Sequence, residues 1–332
     1  MSPTIGLLGD VMLGRKVAER LAQAPPEAVW SDEVRELCRS CDAVLCNLEC
    51  CISERGSRTA RVRRKPFFFR APPAAVDALA AVGTSAVSLA NNHALDYEEA
   101  ALADTLEHLD AGRIEAAGAG LDVERARRGA VVTAGEVRVG LLAVTDHPPQ
   151  YAATHDAPGV AFADLRQELP GWIRADLARL KSEADLVVAF PHWGPNMTTE
   201  PAPWQRSSAR ELVAAGADLV AGHSAHVFHG VGRVRGRAVL YDLGDALDDY
   251  AVDEKLRNDL GVLALWRPRS EPELELVGLE LRFCETQLAR GAEADWIAAR
   301  LERASAPLGT RIERVGEQRF LAAPQVIEAH RG

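Results

Sequence analysis

The chain has 332 residues, 47% apolar and 26% charged, the balance of an ordinary globular protein with material for a substantial core. Its formal net charge of −10 leaves no global field to draw it to nucleic acid or an anionic membrane, so recognition must rest on local features. The opening MSPTIGLLGDVMLG lacks a basic stretch leading into an apolar one, and no run approaches the ~18 apolar residues of a transmembrane helix, so a cytoplasmic protein is expected.

Strands are predicted at 4–9 (TIGLLG), 43–49 (AVLCNLE) and 85–90 (SAVSLA), then at 130–134, 137–145, 185–194 and 218–224. Between them, apolar residues recur at helical spacing over 73–83, 97–112, 162–184 and 203–217, and several of these runs end at Gly. Beyond 225 the pattern turns to strands joined by turns at 231–245, 261–268 and 273–283, and a helix is predicted near 294–304. This alternation predicts an α/β layered fold with antiparallel strands in its sheets and helices outside. No internal repeat and no linker interrupts it. One domain over 1–332 is expected, with a β-rich C-terminal part and a terminal helix over 226–332.

The cysteines are Cys38, Cys41, Cys46, Cys50, Cys51 and Cys284. Cys38-x-x-Cys41 has the look of a zinc or redox pair, but no second Cys or His pair follows at zinc spacing, and Cys46 lies in a predicted strand. They read as reduced thiols.

Polar residues cluster where the strands end. TIGLLG runs into Asp10, AVLCN into Asn47 and Glu49, and SAVSLA into Asn91, Asn92 and His93, with Asp96 close behind. DLVVAFP runs into His192 and Trp193, DLVAG into His223 followed by His226 and His229, and AVLYDLG into Asp245, flanked by Asp242, Asp248 and Asp249. Taken singly, each is a turn residue, a helix cap or a satisfied structural histidine, the reading given to His108, His147, His155 and His330. Six such ends together point to a cleft, because α/β proteins bind ligands at the carboxyl ends of their strands. Asp, Glu, His and Asn are also the hard or borderline ligands of divalent cations.

In order along the chain, Gly9-Asp10-Val11-Met12-Leu13-Gly14, Asn47-Leu48-Glu49, Asn91-Asn92-His93 with Asp96, His192-Trp193-Gly194, Gly222-His223 with His226, and Tyr241 through Asp245 resemble the motif set of the CapA/PgsA-type capsule (poly-γ-glutamate) synthesis proteins, which are similar to calcineurin-like metallophosphoesterases. The resemblance spans residues 4 to about 262. It implies a calcineurin-like four-layer α/β/β/α sandwich with mixed sheets. It also implies a metal environment of Asp10, Glu49, Asn92, His192 and His223, with His93, supported by Asp96, as the acid/base group. Met12 stands where such phosphoesterases carry the histidine of Asp-x-His, Asn47-Leu48-Glu49 where they carry Gly-Asp-x-x-Asp, and His226 is three residues beyond His223 where they space two. With an imidazole missing, one divalent ion (Ca, Mg, Mn or Zn) is the economical expectation.

Compact relatives with this look include lasso-peptide epimerases, and metal-assisted epimerisation at a Cα of a ribosomal precursor peptide is the expected function. It needs a base on one face and an acid on the other, for which His93–Asp96 and Asp10 with His226 or His223 are the candidate pairs. Arg64, Lys65 and Arg70 in RTARVRRKPFFFR (58–70), with Trp193 and Asp245, are candidates to hold the peptide; that segment also reads as an exposed loop with a buried Phe edge. The alternatives are phosphoester hydrolysis and a role in capsule or polyglutamate synthesis.

Overall fold

A computed structural model describes residues 2–269 and 273–325, so His330 lies outside the described residues. Its frame is two mixed sheets. In the larger, the parallel strands Ile5–Val11, Ala43–Leu48, Thr84–Ser88 and Glu115–Ala117 continue antiparallel through Leu260–Arg267, Glu273–Arg282, Arg319–Pro324 and Thr310–Arg314. The smaller has Val137–Thr145, Leu186–His192, Leu219–Ala221 and Arg237–Leu240 in parallel, with Ala130–Ala134 and Val231–Val234 antiparallel at its edges.

The period-two alternation of a strand explains the layering. Along the first strands, Ile5, Leu7, Ala43 and Leu45 face one way and join Val188, Phe190, Leu219 and Leu141 in a core between the sheets. Leu8, Val11, Val44 and Cys46 face the other way, against Val34, Ala78, Leu79 and Leu102 of the outer helices. On the smaller sheet, Leu142, Val144, Val187 and Ala189 pack on Ile173, Leu177, Leu180 and Leu212. Strands buried on both faces must be apolar throughout, hence the unbroken runs in the sequence. The layers are therefore α/β/β/α, and the C-terminal strands share a sheet with the first strand of the chain.

Local chemistry sets the helix ends. Ser31 caps Asp32–Arg39 by accepting from the Val34 N–H at 3.3 Å, and Gln205 Oε1 accepts from the Ala202 N–H at the start of Pro203–Ala214. The helix expected over 162–184 forms only as Gly171–Glu183, because Pro170 disfavours helical backbone in the residue before it. The 231–245 stretch is a hairpin turned by Arg235 and Gly236, both at positive φ. All six cysteines are free, and burial raises the thiols of Cys46 and Cys50 to about 12. Among the described residues, no helix is long and apolar enough to cross a membrane.

One close approach fixes the first strand against the segment that precedes Asp245. The Asp10 N–H donates to Gly244 O at 3.1 Å, and a Cβ on Gly9 would lie 1.9 Å from that oxygen. Gly9→Ala must push the two segments apart and is expected to destabilise the protein by about 1–3 kcal/mol, read as a lower urea midpoint at unchanged m-value. An unshifted midpoint would show that the approach is not needed.

Candidate metal centre

Strand register delivers the donors. Asp10 is paired with Asn47 on one side and with Asp245, in the short strand Asp245–Leu247, on the other. In the second sheet a parallel bridge sets His192 beside His223. His226, at φ 59, turns back toward the first sheet, its segment tied down by Ala225 N–H to Asp242 (2.8 Å) and Ser224 N–H to Asp10 (3.2 Å).

Two donor groups result, and they share Asp10. In one, Asp10, His192 and His223 bring their atoms within 4.8 Å of one another; in the other, Asp10, Glu49, His226 and Asp245 do the same. His223 Nδ1 is 3.4 Å from Asp10 Oδ1 and 2.8 Å from His192 Nδ1. On the other side, His226 Nδ1 is 2.8 Å from Asp245, 3.4 Å from Asp10 and 3.9 Å from Glu49.

The electrostatics of the protein groups call for a cation. Burial and then the Asp10 charge raise Glu49 to about 8, and burial holds Asp245 well above the usual carboxylate range. Burial opposes ionisation of Asp10 too, but hydrogen bonds from His223 and His226 outweigh it and hold this carboxyl well below the usual range. Burial also disfavours charge on His226, yet Asp245 and Glu49 push its pKa well above normal. Among the described residues, Glu49 Oε1, Asp245 Oδ2 and His223 Nε2 are buried without a hydrogen-bond partner. Buried polar atoms of this kind are costly unless paired, and divalent ions would satisfy the inward-facing oxygens. The donors fit such ions, the first group being richer in imidazole and the second in carboxylate.

The expectation of a single ion rested on Met12, which is buried and accepts the Gly14 N–H through Sδ at 3.1 Å. A further group forms around His226 and Asp245, the latter brought beside Asp10 by strand pairing. Two candidate donor groups sharing Asp10 are therefore present, beside the expectation of one bound ion.

Asn92 adds an amide beside the first group. Its Oδ1 is 3.1 Å from His192 Nε2, which orients the ring and leaves Nδ1 facing Asp10. Asn91 connects the site: it donates to Asn47 Oδ1 (3.0 Å), Asn47 donates to Asp10 (2.7 Å), and Asn91 Oδ1 accepts the His93 N–H (2.9 Å).

His93 and Asp96 form a hydrogen-bonded pair at 2.6 Å, with the imidazole stacked on Phe69 at 3.9 Å. Asp96 also accepts from the Phe69 N–H (2.7 Å) and the Tyr151 hydroxyl (3.3 Å), and lies 3.2 Å from Lys65 Nζ. Beside His93 opens a cleft of about 520 Å³, whose walls include Arg15, Lys65, Phe67, Phe69, Met197, His226 and Tyr250.

Of the residues expected to hold substrate, only Lys65 lines that cleft. Trp193 is buried, its indole N–H given to Tyr241 O at 2.8 Å, so it belongs to the core behind the centre. Arg70 donates to the carbonyls of Arg55 and Gly56 and covers the Tyr97 ring, while Arg64 is exposed and outside the cleft lining. Asp245 joins a donor group instead, as does His226, expected as a proton-transfer residue. Sequence reasoning missed Tyr250, whose hydroxyl donates to Glu49 at 3.3 Å, and Arg15, whose guanidinium lies over Phe67, Phe69 and Tyr250. His147, read as a structural histidine, packs 5.1 Å from His192. No spacing marks Tyr250 or Arg15; the acidic run before Tyr250 was the only pointer.

Residues 4–250 match the family described as "Bacterial capsule synthesis protein PGA_cap". A "Probable polyglutamine synthesis accessory protein" of Mycobacterium tuberculosis is 33% identical, over 93% of this chain and 93% of its own. The "PGA biosynthesis protein CapA" of Bacillus subtilis is 28% identical, over 73% of this chain and 62% of that protein. Among solved structures, a putative 5'-nucleotidase from Staphylococcus aureus aligns over 86% of this chain and 54% of its own, with a TM-score of 0.47 and 14% identity. A hypothetical protein from Thermus thermophilus aligns over 86% and 96%, with a TM-score of 0.43 and 15% identity.

Metal analysis of the chain reconstituted with Mn²⁺ or Zn²⁺ is expected to give two ions, both weakened in Asp10→Asn; one firmly held ion in that variant would show that the groups do not share Asp10. Because a cation must displace the proton held on Glu49 up to about pH 8, and those that Asp245 and His226 hold above their ordinary ranges, affinity should rise with pH through that value. Calorimetry in buffers of different ionisation enthalpy reads the released proton, and an affinity independent of pH would contradict it.

Proposed function

The chain belongs to the bacterial capsule synthesis protein PGA_cap family, and from that premise we propose that it is a metal-dependent phosphoesterase-type hydrolase serving the synthesis of a capsule-like or polyglutamate polymer. The observation that carries the reading is the pair of donor groups joined at Asp10, with the His93–Asp96 pair beside them at the cleft. Asp10, His192 and His223 would hold one ion and Asp10, Glu49, His226 and Asp245 the other. When bound, such ions supply a water that ionises near neutral pH and positive charge against the developing anion.

His93 moves the proton. Burial lowers its pKa to about 4 against the pull of Asp96, so the ring is neutral at pH 7. With Nδ1–H donated to Asp96, the lone pair of Nε2 is a proton acceptor at the cleft, 3.9 Å from Glu49 Oε1. A proton taken there from the attacking oxygen can be returned to the leaving oxygen. Lys65 and Arg15 favour an anionic substrate, while Phe67, Phe69 and Met197 offer apolar contact and help to exclude water.

Peptide epimerisation fits less well. It requires two proton-transfer groups on opposite faces of one carbon, and Asp10 and His226, the second pair that the sequence offered, lie together in a donor group. Among the described residues, His93 is left as the imidazole that lines the cleft without belonging to a donor group. The names of the relatives also speak of polyglutamine, PGA and capsule synthesis rather than of epimerisation.

Metal-loaded protein is expected to hydrolyse an aryl phosphate monoester or diester, with His93→Ala losing about 10²–10⁴-fold in kcat and Asp96→Asn losing less. No turnover of either substrate by the metal-loaded chain would sink the reading. Incorporation of deuterium at Cα of a peptide or γ-glutamyl oligomer in D₂O, lost in His93→Ala, would replace it with the epimerase.

A further inference from the structure

Away from the cleft, a second cavity of about 380 Å³ lies between the helices Pro203–Ala214 and Gly291–Ser305 and the segments around Glu200 and Lys255. Four cations line it: Arg206, Lys255, Arg300 and Arg303, against the single carboxylate of Glu200. In a chain with 48 acidic and 38 basic residues this imbalance is against the overall charge. Arg300 and Arg303 stand three apart on one helix, so they share a face.

Arg300 is the informative residue. It is only 4% exposed, and its guanidinium lies over the rings of Phe228 and Trp296. Nε donates to Phe228 O at 3.1 Å and Nη1 to Leu256 O at 3.3 Å, but Nη2 is buried without a partner among the described residues. Arg206 Nε is likewise buried and unpartnered. Burial, and then the charge of Arg303, lowers the Arg300 pKa to about 10. Neighbouring Arg257, by contrast, is neutralised by Asp259. Arg300 thus adds a fixed positive charge to the cavity wall, and oxyanions are the ligands that match the guanidinium geometry of the lining arginines.

We propose that the Arg206–Lys255–Arg300–Arg303 cavity is a second, metal-independent binding site for an oxyanion, a phosphate or carboxylate group. Its walls are continuous in sequence with those of the cleft: Asn196 and Met197 precede Thr199 and Glu200, and Tyr250 and Ala251 precede Lys255. Arg300 also anchors the Leu256 carbonyl in the loop that carries Tyr250. An anion bound there therefore sits against the loops that shape the cleft, yet touches none of the metal donors.

The test is calorimetric titration of the full chain, in a chelator at fixed ionic strength, with inorganic phosphate and separately with an oligo-γ-glutamate. Binding of either probe, weakened about tenfold or more in Lys255→Gln/Arg303→Gln, supports the site, and the probe that binds identifies the source of the anion. Both residues are exposed, so this variant should keep the wild-type urea midpoint; Arg300→Met is the stronger but less secure variant. Asp10→Asn, which disables the metal centre, should bind the probe as the wild type does. Failure of both probes to bind, equal affinity in the double variant, or loss of binding in Asp10→Asn would each overturn the proposal. Because the chelator removes the metal, the outcome is separate from that of the phosphoesterase reading.

Discussion

The Asp10 carboxylate is the constraint around which the centre is arranged. It is buried, one oxygen faces His223 and His192, the other faces His226, and both are backed by donors from Asn47 and Ser224. A carboxylate removed from water survives ionised only where charge and hydrogen bonds replace its hydration. Both sheets contribute to that replacement. The first supplies Asp10, Asn47 and Asp245 by pairing, the second His192 and His223, and the loop between its strands supplies His226. A shift of either sheet would leave the carboxylate with uncompensated charge.

The neighbouring acids show how finely this balance is set. Burial alone pushes Glu49, Asp242, Asp245 and Asp248 upward, and in each the charge of a nearby carboxylate adds to the effect. Four such groups around one ionised aspartate make a poor packing device, since a hydrophobic core of the same volume would be more stable. Glu49 and Asp245, the two that reach a donor group with Asp10, suit a cation instead. The stability forgone is consistent with a site selected for binding, and the apolar packing on either face of both sheets is what offsets it. His93 stands at the edge of this centre, where stacking on Phe69 and the bond to Asp96 fix one orientation of a ring that is otherwise free to turn.

Much of this was legible in the residues. The parallel strands had to be apolar throughout, so their ends were easy to find, and polar residues at six successive ends marked the cleft. The pairing of His93 with Asp96, implied by the family resemblance, forms at 2.6 Å. Two of the expected substrate contacts, Trp193 and Arg70, lie outside the cleft lining for one reason. Trp193 sits next to His192 and Arg70 next to Phe69, but successive side chains on extended backbone point to opposite sides, so sequence neighbours of site residues face away. Asn92, which the resemblance implied as a ligand, lines the cleft beside His93 with its Oδ1 3.1 Å from His192 Nε2.

The amino-acid order by itself determined the layers, the ends at which polar groups gather, and the residue types available there, because hydrophobic periodicity and turn chemistry are local. It could not decide how many donor groups those residues form. Counting motifs, the loss of a histidine at Met12 left one set incomplete. Only the folded chain pairs Asp245 beside Asp10 across more than two hundred residues and turns His226 inward through a left-handed backbone, completing a second group. Long-range strand register is a property of the packed sheets, where burial of both faces selects one alignment, and no short stretch of sequence carries it.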